Sequence, residues 1–123
     1  MMLSGREMDV MNVLWKRGSA TVAEVLDDLQ DDLAYTTVLT ILRRMEEKGY
    51  VEHSTEGKAH RYRALVEREK VQDSAIQRIT RKLFMDSPRL LMTRILDEGK
   101  LTEDQLRELR ALLDERLEGR GEE

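Results

Sequence analysis

The chain contains no cysteine. That absence removes disulfides, thiol nucleophiles and thiolate metal sites together. Proline occurs only once, and with 37% charged and 40% hydrophobic residues the composition suits a soluble, helix-rich protein rather than a disordered one. No apolar stretch approaches the length of a membrane span, and the first residues lack a basic segment followed by an apolar one. A soluble, cytoplasmic protein is expected. There is no nucleophile elbow, no glycine-rich phosphate loop and no metal motif, so no enzyme is expected and no catalytic residue is assigned. The adjacent acids Asp27-Asp28, Asp31-Asp32 and Glu46-Glu47 point in different directions on a helix and read as solvated charge.

An excess of positive charge is also missing, since the net charge is −4. Its distribution is uneven. Residues 1–32 hold three Lys/Arg against seven Asp/Glu and residues 67–123 hold twelve against fourteen, whereas residues 33–66 hold six against four together with both histidines. Only that middle segment is suited to face phosphates.

At 123 residues the chain holds one domain, or a small domain with an appendage. Ser4 and Glu7 form a capping-box pattern that opens a first helix to about Lys16, with Met8, Met11, Leu14 and Trp15 as its stripe and Gly18 as its stop. Thr21 and Glu24 repeat the pattern for a second helix, with Val22, Val25, Leu26 and Leu29 apolar and Asp31-Asp32 ending it. A third helix runs from near Tyr35 to Lys48, followed by Gly49. Two short strands are predicted next, residues 50–53 and 59–64. A turn centred on Glu56-Gly57 would set His53 opposite His60, Glu52 opposite Arg61 and Val51 opposite Tyr62. From Glu67 the pattern is helical. One helix carries Val71, Ala75, Ile79 and Leu83, and Pro88 opens another with Leu91, Ile95 and Leu96. Thr102 and Gln105 cap a last one with Leu106, Leu109, Leu113 and Leu117, which Gly119 is expected to end, leaving a frayed tail to Glu123.

The third helix carries the functional reading. On a helical wheel Val38, Ile41, Leu42 and Met45 gather on one side, and Thr36, Thr40, Arg43 and Glu47 on the other, flanked by Thr37 and Arg44. Short hydroxyl side chains near the helix start let the backbone approach base edges, and a Thr methyl packs against a thymine methyl. Arg43 and Arg44 reach a guanine edge or a phosphate, and Tyr35 sits at the end whose amides favour phosphate. A merely solvated polar face fits the wheel equally well. The hairpin tips the balance, because it follows directly and sets Lys58, His60 and Arg61 where they can grip flanking phosphates. His53 and His60 offer only two ligands, too few for a metal site without nearby Cys or clustered carboxylates, so no metal and no cofactor are expected.

The helices after Glu67 present three apolar stripes and little to cover them. Pairing with an identical chain would solve this, with Val71, Ala75, Ile79, Leu83, Leu91, Ile95, Leu106, Leu109 and Leu113 as interface residues. The pairing also spaces two recognition helices to read a palindrome. Packing of the same helices back onto their own domain is the alternative. The expected fold class is therefore mainly α with a small β-hairpin: a winged helix-turn-helix domain (1–66) and a C-terminal helical dimerisation region (67–123).

The stretches LSGREMDVMNVLW, LAYTTVLTILRRMEEKGYVEH, AHRYRALVERE and LTEDQLRELRALLDE resemble the penicillinase-repressor family over essentially the full length. The resemblance implies a dimeric winged-helix repressor with Thr36, Thr37 and Thr40 in the major groove and dimerisation from about Glu67. Copper-responsive members carry paired cysteine motifs, which this chain lacks. In antibiotic-responsive members a regulatory protease cuts an Asn-Phe bond among the dimerisation helices; the matching position here is Arg94-Ile95, a departure that sets that protease partner apart. The expected function is a homodimeric repressor of transcription bound to double-stranded DNA at a palindromic operator. The rival is a winged-helix module that docks a protein and ignores DNA.

Overall fold

A computed structural model describes residues 3–30 and 32–121. It falls into two compact units, within residues 1–77 and 78–123.

In the first unit, α1 (Gly5–Arg17) begins at a closed capping box: the Ser4 hydroxyl accepts the Glu7 amide at 3.2 Å and the Glu7 carboxylate accepts the Ser4 amide at 2.9 Å. Gly18, at φ +84°, ends it. A two-residue strand, β1 (Ala20–Thr21), precedes α2 (Val22–Leu29), which is opened by the Thr21–Glu24 capping box. The second helix stops before the acidic pair, with Gln30 in the left-handed region at φ +54°; of the expected terminator, Asp31 lies outside the described residues. Helix α3 (Tyr35–Glu47) has Ala34 at its N-cap with no side-chain cap, and it leads through Lys48 and Gly49 (φ +82°) into β2 (Val51–Glu56) and β3 (Ala59–Ala64).

The sheet is antiparallel in the order β1-β3-β2. It has three strands where a two-stranded hairpin was expected: Ala20 and Thr21 pair with Tyr62 and Arg61. The hairpin register also differs. Gly57 (φ +62°) and Lys58 form the turn, Glu56 faces Ala59, and His53 lies opposite Tyr62, Glu52 opposite Arg63 and Val51 opposite Ala64. Glycine takes the first central position of a two-residue turn, where positive φ is required, and that moves the turn centre one residue on. The resulting two-residue shift preserves which side chains share a face. Val51 and Tyr62 are accordingly buried together.

The core joins Val10, Met11 and Leu14 of α1 to Val25 of α2, Val38, Leu42 and Met45 of α3, and Val51 and Tyr62 of the sheet. Trp15 closes its edge: the indole Nε1 donates to the Val66 carbonyl at 3.0 Å, and the Arg68 guanidinium stacks over the ring at 5.3 Å.

Helix α4 (Arg68–Leu83) runs across the division between the units. In the second unit a turn with Met85 and Asp86 at positive φ leads to α5 (Pro88–Asp97), whose N-cap Ser87 hydroxyl accepts the Leu90 amide at 3.1 Å. After Gly99 (φ +75°), Thr102 and Gln105 close a third capping box ahead of α6 (Glu103–Gly121). The last helix continues through Gly119 to Gly121 instead of stopping and fraying there; of the tail expected to fray, residues 119–123, Glu122 and Glu123 lie outside the described residues. Among the described residues no helix is long and apolar enough to cross a membrane.

Candidate nucleic-acid interface

Helix α3 presents its two faces as its periodicity requires. Val38, Leu42 and Met45 are fully buried and Ile41 half-buried, whereas Tyr35, Thr36, Thr37, Thr40, Arg43, Arg44 and Glu47 are exposed. The Thr40 hydroxyl donates to the Thr36 carbonyl at 2.8 Å, so its proton is spent within the helix while its methyl and an oxygen lone pair face outward. Ala34 provides no side-chain cap and the Thr37 amide donates to the Ala34 carbonyl at 3.0 Å, which leaves the Tyr35 and Thr36 amides to an acceptor from outside. Among the described residues Arg43, Arg44 and Lys58 have no ion pair, so their charge is free to meet an anion.

The wing divides its expected contacts. Lys58 stands exposed at the turn, and His60 stacks on His53, with ring centroids 4.3 Å apart and planes 13° from parallel. Among the described residues no cluster of three metal-ligating side chains occurs. Arg61 is held inward. Its guanidinium donates to Glu56, to Glu24 at 3.1 Å and to Ser19 Oγ at 3.4 Å. With these partners its charge is already countered by two carboxylates, which weakens its pull on a phosphate. Arg63 pairs with Glu52.

Glu24 is the hub of this side. Its carboxylate accepts the Thr21 amide, Arg61 and Arg17, and Arg17 in turn binds both oxygens of Asp28 at 2.6 and 2.8 Å. The Thr21 amide, with Arg61 and Arg17 beside it, holds the Glu24 carboxyl below the usual range; the Arg17 hydrogen bond does the same for Asp28, and that to Glu56 raises Arg61. Asp28 and Glu46 were expected to be solvated charge. The structure instead uses Asp28 to fix Arg17 and Glu46 to bind His53 Nδ1 at 2.7 Å, tying α3 to β2. Beneath that contact the Tyr62 hydroxyl is pushed up by burial, with the Glu46 charge adding to it.

The candidate interface residues of the C-terminal helices fall into two groups. Val71 is buried in the single chain, and Leu91 and Leu109 are half-buried. Ala75, Ile79, Leu83, Ile95, Leu106 and Leu113 are exposed, as are Ile76, Met92, Leu96, Leu112 and Leu117, which extend the same stripes. Arg94 and Ile95 lie within α5.

Three helices, with the third offering an uncapped, hydroxyl-lined face beside a three-stranded wing, define a winged helix-turn-helix protein of the DNA-binding class. Residues 3–115 match the penicillinase repressor family, and the chain belongs to that family. The methicillin resistance regulatory protein MecI of Staphylococcus aureus (strain N315) is 23% identical over 116 residues, covering 93% of this chain and 94% of that protein. The solution structure of the DNA-binding domain of the repressor BlaI is 30% identical, covers 55% of this chain and 84% of that one, and superposes with a TM-score of 0.50. A MarR family protein from Bacillus stearothermophilus shares the fold at 17% identity and a TM-score of 0.57, over 98% of this chain and 77% of that one.

Proposed function

We propose that the protein is a cytoplasmic transcriptional repressor, without enzymatic activity or bound cofactor, that occupies a palindromic operator as a homodimer. One observation carries the reading: Thr36, Thr37 and Thr40 stand uncovered on the outer face of a helix whose inner face is locked into the core. Thr side chains contact base edges, while Arg43, Arg44, Lys58 and His60 meet phosphates on either side. Dimerisation through the region from residue 67 onward covers exposed leucines of α5 and α6 and sets two copies of α3 about 34 Å apart, one turn of the duplex. Membership of a repressor family and likeness to the BlaI domain support the DNA-binding part. A protease specific for an Asn-Phe bond meets Arg94-Ile95 here, so release by that enzyme is not part of the proposal.

Thr37→Glu tests it. A carboxylate in the groove repels phosphates and replaces a contact made by the threonine, so affinity for a duplex selected from a random pool should fall about 100-fold, near the upper end of what one good base contact contributes, with the thermal midpoint unchanged. A fluorescence titration in which the variant binds normally would remove α3 from the interface. The rival, a protein-docking module, draws on the net charge of −4. It predicts elution from random duplex DNA at low salt.

A further inference from the structure

A second basic surface lies beside the recognition face. Between the start of α1 and the C-terminal half of α3 a groove of about 370 Å³ is lined by Ser4, Arg6, Glu7, Ile41, Arg44 and Lys48. Its lining holds three cations and one carboxylate, and Arg6 also pairs at 3.8 Å with Asp9, both side chains about half exposed, so the pair is open to exchange for a phosphate. The lining carboxylate is already committed: Glu7 is 9% exposed, closes the α1 capping box and binds Lys48 Nζ at 3.0 Å. The Lys48 and Arg6 side chains remain about half exposed, and Arg44 is exposed.

Helix geometry fixes where this groove falls on a duplex. At about 100° per residue, Arg44 lies about 40° and Lys48 about 80° round from Thr40, both on the same side. A helix with side chains is about 10–12 Å across and the major groove about 12 Å wide, so residues turned that far from the groove floor face its wall. The wall is phosphodiester. Arg6 reaches the same edge from α1, across the groove.

We propose that Arg6, Arg44 and Lys48 form a clamp for one backbone phosphodiester on the wall of the major groove that α3 enters; this rests on α3 being the recognition helix. The clamp reads no sequence. It sets how deeply and at what tilt α3 sits, which the wing cannot do alone while Arg61 is held by Glu24 and Glu56. It also offsets locally the negative charge of the whole chain.

The test uses the full-length protein, a selected operator duplex and a random duplex of equal length, titrated between 50 and 200 mM salt. The double variant Arg6→Gln, Lys48→Gln should lose about tenfold in affinity for both duplexes alike. Its slope of log affinity against log salt should be shallower by about 0.9 for each clamp engaged. Arg6→Gln alone, which leaves the Glu7–Lys48 pair in place, should give part of the loss, and Lys48→Arg should keep the wild-type slope. Melting curves establish that each variant is folded. An unchanged slope in a folded double variant, with the wild type binding its operator, would overturn the clamp and leave the recognition helix standing. Competition by inorganic phosphate at constant ionic strength, lost in the double variant without a change in slope, would make the groove a free-anion site and also overturn it. Wild-type protein that binds no duplex would sink the recognition reading and the clamp together.

Discussion

The two units solve the burial problem differently. The first closes a core from its own chain: Val10, Met11, Leu14, Val25, Val38, Leu42, Met45, Val51 and Tyr62 are all essentially inaccessible. In the second, no described hydrophobic side chain is buried, and Leu83 and Leu117 are about 70% exposed. Both regions have well-capped helices, so helix formation does not separate them. What separates them is the count of layers. Three helices and a sheet enclose an interior, whereas α5 and α6 leave exposed stripes that need another surface. If the proposed homodimer forms, the second unit is half of a core, and its stability is tied to protein concentration as the first unit's is not.

Leu42→Ala should break the first half of this comparison most severely. Leu42 is fully buried at the centre of α3, and truncating it costs about 2–5 kcal/mol through lost transfer energy and the cavity left behind. Urea denaturation checks this, and the loss should be the same at every protein concentration. Leu113→Asp comes next. Leu113 is 60% exposed in the single chain, so the charge costs little there; in a dimer it would forfeit about 2–3 kcal/mol of apolar burial. Sedimentation should show the variant shifted to monomer at micromolar concentration while the first unit keeps its near-ultraviolet signal. A variant that stays dimeric would place the stripe of α6 outside the interface.

The contrast between the units was largely legible in the sequence, because it rests on periodicity. The buried side of α3 and the open stripes of α6 follow from spacings of three and four, and all three capping boxes form where Ser4/Glu7, Thr21/Glu24 and Thr102/Gln105 announce them. The features that stayed hidden depend on space. Strand β1 is two residues long and has no alternation to detect. The turn at Gly57 hinged on which central position the glycine would take. Gly119 reads as a stop, yet α6 is solvated at that end and nothing forces a left-handed residue, so the helix passes through. Arg61 falls on the charged face of the wing as expected. Its capture by Glu24 needed the third strand, which brings β3 against the start of α2. The groove at Arg6 depends likewise on α1 crossing α3. Only the Arg44–Lys48 spacing of that groove is visible in the sequence.

The smallest expected effect sharpens how the first unit holds itself shut. Glu7 links two of its helices, as cap of α1 and as partner of Lys48 at the end of α3. Burial pushes its carboxyl up, but the Ser4 amide and hydroxyl together with the Lys48 ammonium outweigh this and hold it below the ordinary glutamate value of 4.5. A carboxyl with a depressed pKa in the folded state stabilises fully above its unfolded value and loses that contribution as pH falls through the folded one. Glu7→Ala removes both roles and should cost about 1–2 kcal/mol at neutral pH. Glu7→Gln keeps a side-chain acceptor for the Ser4 amide, since glutamine also completes a capping box, and should cost about half as much. The gap in thermal midpoint between wild type and Glu7→Gln should be widest near pH 6–7 and close as pH drops below 4.5. A gap that stayed constant down to pH 3 would mean that the charge on Glu7 contributes nothing and that Lys48 is held to α1 by packing alone.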